Sequence, residues 1–301
     1  MTVPLIQVQD FSHRYGTTIA VDRLSFEVAP GEVVALLGHN GAGKTTTLTG
    51  LAGLRSSQQG TLRVLGLDPW EQGDEVRRRT GYVSEDLSFH DWMTVGETLW
   101  YLEQFHPTWD RQLQHELVTR LELPLDRKIE GLSRGMRSKL ALACATAFRP
   151  EVLLLDDPTS GIDPIVRREF LAEVIRLAAE GGRAVLFSSH VLDDVARLAD
   201  RVLFVVGGRK ILERSVSDLH ENVRRVVLKA DGEVGEPPTE TVAWRPDGGT
   251  VEAIVDGWTS VEAAWQEGPA VIESVESLSL EDVFVEIVSA SKTNAARWRD
   301  A

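Results

Sequence analysis

The stretch Gly38-His39-Asn40-Gly41-Ala42-Gly43-Lys44-Thr45-Thr46 sets three glycines ahead of a lysine and two threonines. It satisfies the pattern GxxxxGK[ST] at Gly38, Gly43, Lys44 and Thr45. These residue types suit phosphate binding. Glycines let a backbone wrap closely around phosphate oxygens, where a Cβ would collide. The loop amides and the start of a following helix direct partial positive charge at the anion. Lys44 is expected to reach the β- and γ-phosphates of a nucleotide, and the Thr45 hydroxyl to ligate Mg²⁺. A plain glycine turn between strand and helix is the alternative, and motif and context together disfavour it.

A second run, Val152-Leu153-Leu154-Leu155-Asp156-Asp157, continues to Asp163. A carboxylate at the tip of a buried strand is costly without a cation partner. Beside a phosphate loop, hydrated Mg²⁺ is the natural partner of Asp156. Asp157 follows directly and is expected to face the attacking water. Alone, a strand-end aspartate reads as a turn cap; the phosphate loop upstream shifts the balance.

The elements that must position these residues alternate in type. Ile6–Val8, Ser25–Val28, Glu32–Leu37, Val152–Leu155 and Ala184–Ser188 read as strands. Thr45–Leu54 and residues 165–179 read as helices, and a helix-rich stretch covers about 94–150, with Leu99, Leu102 and Phe105 at helical spacing. Alternation of this kind predicts a mostly parallel sheet covered on both faces, an α/β fold. Beyond Leu219 the pattern changes. Val223–Leu228, Thr241–Trp244 and Val251–Val255 read as strands, residues 232–238 and 245–249 as turn-rich linkers, and Ser260–Trp265 and Leu280–Ile287 as helices. The expected division is 1–220, with a helical subdomain at about 88–150, then a small α+β unit at 221–290, and a flexible tail at 291–301.

Composition narrows the function class. The chain has 301 residues and a formal net charge of −14, which argues against nucleic-acid binding through clustered Lys and Arg. The charge is uneven: residues 222–289 hold fourteen Asp or Glu against four Lys or Arg. No run of ~18 uncharged apolar residues suggests a membrane span, and the first residues do not read as a signal peptide. A cytoplasmic location is expected. The single cysteine, Cys144, lies in an apolar helical stretch and reads as a small buried hydrophobe.

Residues 1–220 resemble the nucleotide-binding subunit of ABC transporters, through five motifs in the family's order. The phosphate loop 38–46 is the first. Leu132-Ser133-Arg134-Gly135-Met136 resembles the signature LSGGQ and likewise precedes a helix; the run to Asp163 resembles the magnesium and catalytic segment with its following loop. Ser188-Ser189-His190 resembles the switch-histidine loop, and His13-Arg14-Tyr15-Gly16 the loop whose aromatic residue stacks on adenine. The resemblance implies a P-loop NTPase core binding ATP and Mg²⁺. Tyr15 would stack on adenine, His190 would contact the γ-phosphate, and Ser133 and Gly135 would meet ATP bound to an opposite protomer. Asp163 would lie in the loop crossing that interface. Two subunits, identical or paralogous, would close head-to-tail around two ATP molecules and drive separate permease subunits, with the chain attached to the inner face of the membrane through them.

Three positions depart from the family pattern. Asp157 stands where glutamate is expected, with about 1.5 Å less reach, which implies slower hydrolysis. Glu85 stands where a glutamine is expected to sense Mg²⁺ and touch the permease; it can ligate Mg²⁺ but adds negative charge. Arg134 and Met136 replace Gly and Gln in the signature; Arg134 either adds positive charge near ATP or faces solvent. Phe89, Trp92, Met93 and Trp100 either line the groove for a permease helix or fill the helical subdomain's core. Residues 277–288 resemble the tail of single-domain exporter ATPases. Two rival readings remain: an ATP-gated interaction module with little turnover, kept open by Asp157, and a non-transport ABC-type ATPase, which would usually carry a second cassette or a long coiled coil.

Overall fold

The computed structural model describes residues 3–229, 241–247, 249–266 and 271–292. β1 (Ile6–Tyr15), β2 (Thr18–Val28) and β4 (Gln59–Val64) form an antiparallel sheet in the order β2-β1-β4. β3 (Val33–Leu37), β5 (Thr80–Val83), β6 (Val152–Asp156), β7 (Ala184–Ser189), β8 (Arg201–Val206) and β9 (Arg209–Ser215) form the central sheet, ordered β5-β6-β7-β3-β8-β9. All its pairings are parallel except that of β9 with β8. β10 (Val223–Lys229), β11 (Thr241–Asp247), β12 (Thr250–Asp256) and β13 (Val271–Ser277) form an antiparallel sheet ordered β11-β12-β10-β13.

The central strands are apolar at nearly every position because both faces are buried. Successive residues serve opposite faces. Val33, Ala35, Leu37, Leu153, Leu155, Val185 and Phe187 enter one core with Phe170 and Val174 of α6 (Pro164–Ala179). Val34, Leu36, Val152, Leu154 and Leu186 enter the other with Leu48 and Leu51 of α1 (Lys44–Leu51) and with Ile6, Phe11 and Phe26 of the first sheet. Truncating such a leucine to alanine costs about 2–5 kcal/mol.

A third core joins α3 (Val95–Glu103), α4 (Arg111–Arg120) and α5 (Arg134–Thr146) through Leu99, Leu113, Leu117 and Leu140. A capping box between Thr94 and Glu97 starts α3. This helical layer is tied back to α6 by Arg120 on Glu173 at 2.7 Å and Lys139 on Glu169 at 2.6 Å. α2 (Gly73–Arg79), α7 (Leu192–Leu198) and α8 (Val216–Asn222) are short connectors. α9 (Trp258–Gln266) supplies Trp258 and Trp265 to a fourth core on the C-terminal sheet, while α10 (Leu280–Lys292) stacks Phe284 on Phe204 of β8.

Some sequence expectations change. Arg245–Asp247 belong to β11 rather than to a linker, because Arg245 pairs with Glu252 of the neighbouring strand and with Glu286 of α10. Helix α10 runs to Lys292, past the expected start of the tail at 291. Phe105 is exposed and lies beyond the end of α3, although Leu99 is fully buried. Residues 232–238 and 293–301 lie outside the described residues.

Cys144 is buried on α5, and burial pushes its thiol up to about 12. A thiolate is the reactive form, and a raised pKa depletes it. A thiol reagent at pH 8 is expected to label Cys144 in the folded chain about 10³-fold more slowly than after unfolding in guanidinium. Labelling at the unfolded rate would contradict the burial.

Candidate active site

In a parallel sheet every strand ends on the same side, so loops following neighbouring strands converge there. β5, β6, β7 and β3 are such neighbours. Their register aligns Val83 with Leu155, Asp156 with Ser188, and Leu37 with Ser189. Four chemically equipped loops therefore meet: Glu85 after β5, Asp156 and Asp157 at the end of β6, Ser188 to His190 at the end of β7, and residues 38–43 after β3. A cavity of about 390 Å³ opens over the loops after β3, β5 and β6, walled on the far side by Tyr15, Thr18, Ile19 and Ala20 of the first sheet; Ser188, Ser189 and His190 do not line it. Asn40, Gly41, Gly43, Lys44, Thr45, Thr46, Glu85, Asp156 and Asp157 complete the lining.

The phosphate loop is shaped as its glycines require. Gly41 and Gly43 have φ of 83° and 101°, values that side chains strongly disfavour. A Cβ on Gly43 would also meet the Ala20 carbonyl at 2.4 Å. Gly43 occupies the cap position of α1, which has no side-chain cap and no acidic residue in its first turn. The helix thus leaves its first amides free for an anion. Lys44 Nζ donates to the carbonyls of Gly38 at 2.7 Å and His39 at 3.2 Å. Burial lowers its pKa, while Asp157, Asp156 and Glu85 oppose that shift. Gly38, His39 and Ala42 do not line the cavity: Gly38 packs against the Val205 carbonyl and Ala42 is buried.

Asp156 is 2% exposed, and burial raises its carboxyl above the usual carboxylate range. Its Oδ1 accepts from Thr45 Oγ1 at 3.1 Å and from Ser188 Oγ at 2.8 Å. No ion pair to it is found among the described residues. One lysine among three carboxylates leaves the cavity short of positive charge, and the Thr45 hydroxyl beside Asp156 is a hard oxygen pair suited to Mg²⁺. The residues present therefore fit that ion.

Asp157 has φ 45°, its amide donates to Ser188 Oγ at 2.9 Å, and its Oδ2 lies 2.6 Å from His190 Nδ1. Its Oδ1 is buried without a partner among the described residues. A carboxylate oriented by a histidine beside the cavity can serve as a general base once one of its oxygens reaches a water there.

Tyr15 is 45% exposed at the mouth, with its hydroxyl 3.3 Å from Thr46 Oγ1 and the Arg55 guanidinium 4.8 Å from its ring centre. A base stacked on an aromatic ring gains about 1–3 kcal/mol. Tyr15→Ala is expected to weaken ATP binding about tenfold, measured by titration calorimetry, and Tyr15→Phe to leave it nearly unchanged. Equal affinity for all three chains would remove Tyr15 from the site.

The signature residues stand apart from this cavity. Ser133 caps α5 and accepts from the Met136 amide at 3.2 Å. Gly135 is buried where a Cβ would meet Val166 Cγ1 at 2.7 Å, so it also lets α5 approach α6 closely. Asp163 caps α6 by accepting from the amides of Ile165 and Val166. Arg134 is exposed, as the second sequence alternative has it, and its guanidinium also donates to the carbonyls of Ser160 and Glu85. Sequence reading left Ser188 and Arg55 out of the site. Ser188 had a signal, its place directly before Ser189-His190; Arg55 had none.

A family model described as ABC transporter matches residues 21–160. An uncharacterized ABC transporter ATP-binding protein of Bacillus subtilis, YxlF, is 32% identical over 95% of this chain and 100% of its own length. The Nod factor export ATP-binding protein I of Burkholderia orbicola is 36% identical, covering 74% of each chain. A solved ATP-binding subunit of an ABC transporter superposes with a TM-score of 0.66 at 26% identity, over 72% of this chain and 92% of its own. The chain belongs to the ATP-binding proteins of ABC transporters and carries their P-loop ATPase cassette.

Proposed function

We propose that the chain hydrolyses Mg-ATP to drive a separate membrane permease, in the direction of export. The convergence of the loops after β3, β5 and β6 on one cavity, with the β7 loop joined to it through Ser188 on Asp156 and His190 on Asp157, carries this reading. Bound Mg²⁺ would be held by Thr45 and Asp156, with Glu85 within the same lining, and would supply Lewis-acid charge at the phosphate oxygens. Lys44 and the loop amides hold the phosphates. Asp157 orients or deprotonates the attacking water, and His190 fixes the carboxylate from behind.

Ser133 and Gly135 lie outside the cavity of their own chain, which fits a site completed by the signature of a second copy or a paralogue. The permease contact falls to the face carrying Trp92 and Trp100, 68% and 61% exposed, beside a cavity of about 600 Å³ lined by Phe89, Met93 and Tyr101. Sequence reading allowed these side chains either to line a groove or to fill the core; Met93 is buried in the cavity wall, and the two tryptophans are exposed. No helix among the described residues is long and apolar enough to cross a membrane; attachment to the membrane is assigned to the same permease contact. The export direction rests on the function for which the Nod factor relative is named and on the resemblance of residues 277–288. The acidic unit from 221 to 290 is assigned a stabilising role against β8 and α7.

The test is steady-state ATP turnover against chain concentration. A rate rising with the square of concentration at low concentration supports a paired site. Turnover strictly linear down to the lowest concentration opposes pairing, and tight ATP binding without turnover favours an ATP-gated module.

A further inference from the structure

Arg134 opens α5 and does not line the nucleotide cavity, yet two of its donors are engaged. Nε donates to the Ser160 carbonyl at 2.5 Å and Nη2 to the Glu85 carbonyl at 3.1 Å. Its stem lies over Gly161, where a Cβ would sit 3.2 Å from Nε. One helical turn on, Ser138 Oγ donates to the Pro158 carbonyl at 2.6 Å. Positions 134 and 138 share one face of α5, so one helix face grips two carbonyls of residues 158–160. From the other side, Thr159 Oγ1 donates to the buried Asp194 of α7 at 3.2 Å.

The segment needs such a grip. Asp157, immediately before it, has a left-handed backbone with φ 45°. A side-chain-bearing residue stays in that region only where its surroundings over-determine the backbone. The Ser188 hydroxyl holds the Asp157 amide, and the contacts of Arg134, Ser138 and Thr159 hold residues 158–160. The guanidinium suits the bridging task, because its planar fork carries several donors in fixed directions, whereas an ammonium is a point charge.

The structure assigns Arg134 as a positioning residue for hydrolysis: by bridging the Ser160 and Glu85 carbonyls it fixes the backbone carrying Asp157 relative to the loop carrying Glu85. It does so within its own chain, from a signature position where the family pattern has glycine. The assignment rests on the hydrolytic reading of the cavity.

The experiment compares the full chain with Arg134→Ala and Arg134→Lys, by amide hydrogen exchange and by kcat and KM for Mg-ATP. Arg134 is exposed at a helix start, so both variants should fold, and the thermal midpoint checks this. Arg134→Ala is expected to speed exchange about tenfold in residues 84–87 and 159–162. It should lower kcat about tenfold with KM within twofold. Arg134→Lys should keep the midpoint but restore neither exchange nor kcat. Unchanged exchange in both segments overturns the assignment, as does a raised KM at constant kcat, which would place the cation on phosphate. Absence of turnover in the unaltered chain would instead sink the hydrolytic reading, and exchange would still decide whether the bridge holds the two loops.

Discussion

Lys44→Ala is expected to reduce ATP turnover by on the order of 10²–10³-fold and to weaken nucleotide binding by about tenfold or more. Among the described residues, Lys44 is the one cation in a cavity lining that also contains Glu85, Asp156 and Asp157. Without it, phosphate oxygens would face three carboxylates with only backbone amides and a bound cation to offset them. The Gly38 and His39 carbonyls would also lose their donor. Lys44→Arg is not a conservative replacement here, because a planar fork cannot take the place of a compact ammonium in a loop closed around it. Initial rates with saturating Mg-ATP, alongside a binding titration, measure both effects. Turnover within threefold of the unaltered chain would show that phosphate charge is stabilised elsewhere.

Asp157→Asn should separate chemistry from binding. The amide keeps the shape of the carboxylate but cannot accept a proton, so turnover should fall about 10²–10⁴-fold while ATP affinity holds or tightens. Removing a carboxylate near the phosphates takes away repulsion, which favours the tighter outcome. His190→Ala should lower turnover comparably, because His190 Nδ1 lies 2.6 Å from Asp157 Oδ2 and the two act as a unit. The double variant should then be little worse than either single one. Single-turnover hydrolysis of bound ATP checks this. Full activity in Asp157→Asn would move the role of base to Glu85 or to the phosphate itself, and additive losses would separate Asp157 from His190. The shorter side chain leads to an expected slow rate; the observed geometry gives it an orienting partner at hydrogen-bond distance.

The phosphate loop was legible in the sequence because it is a local object. Its glycines answer to backbone angles, its lysine and threonine to a helix that begins beside them, and nine consecutive residues hold all of it. The buried strands β3, β6 and β7 were equally legible, since a strand covered on both faces must be apolar throughout; β8 is as apolar and nearly as buried but was not read as a strand. The elements least visible were β9 and β13, partly exposed strands whose alternation is weak, and the short helices α7 and α8, where too few turns exist to display a period.

What the sequence determined by itself was the chemistry: which residues could hold phosphate, which carboxylates needed a cation, and in what order the motifs run. Only the tertiary structure decided which of them touch. Thr45 meets Asp156 across 111 positions of chain, Ser188 binds Asp156 and the Asp157 amide from more than 30 positions away, and Arg134 reaches Glu85 across 49. Those meetings follow from the strand order β5-β6-β7-β3 and its register. Register is set by packing of both sheet faces, a collective property that no local stretch encodes. The exposure of Trp92 and Trp100 has the same origin: helical spacing shows that a face exists, and only the packed neighbours show whether anything covers it.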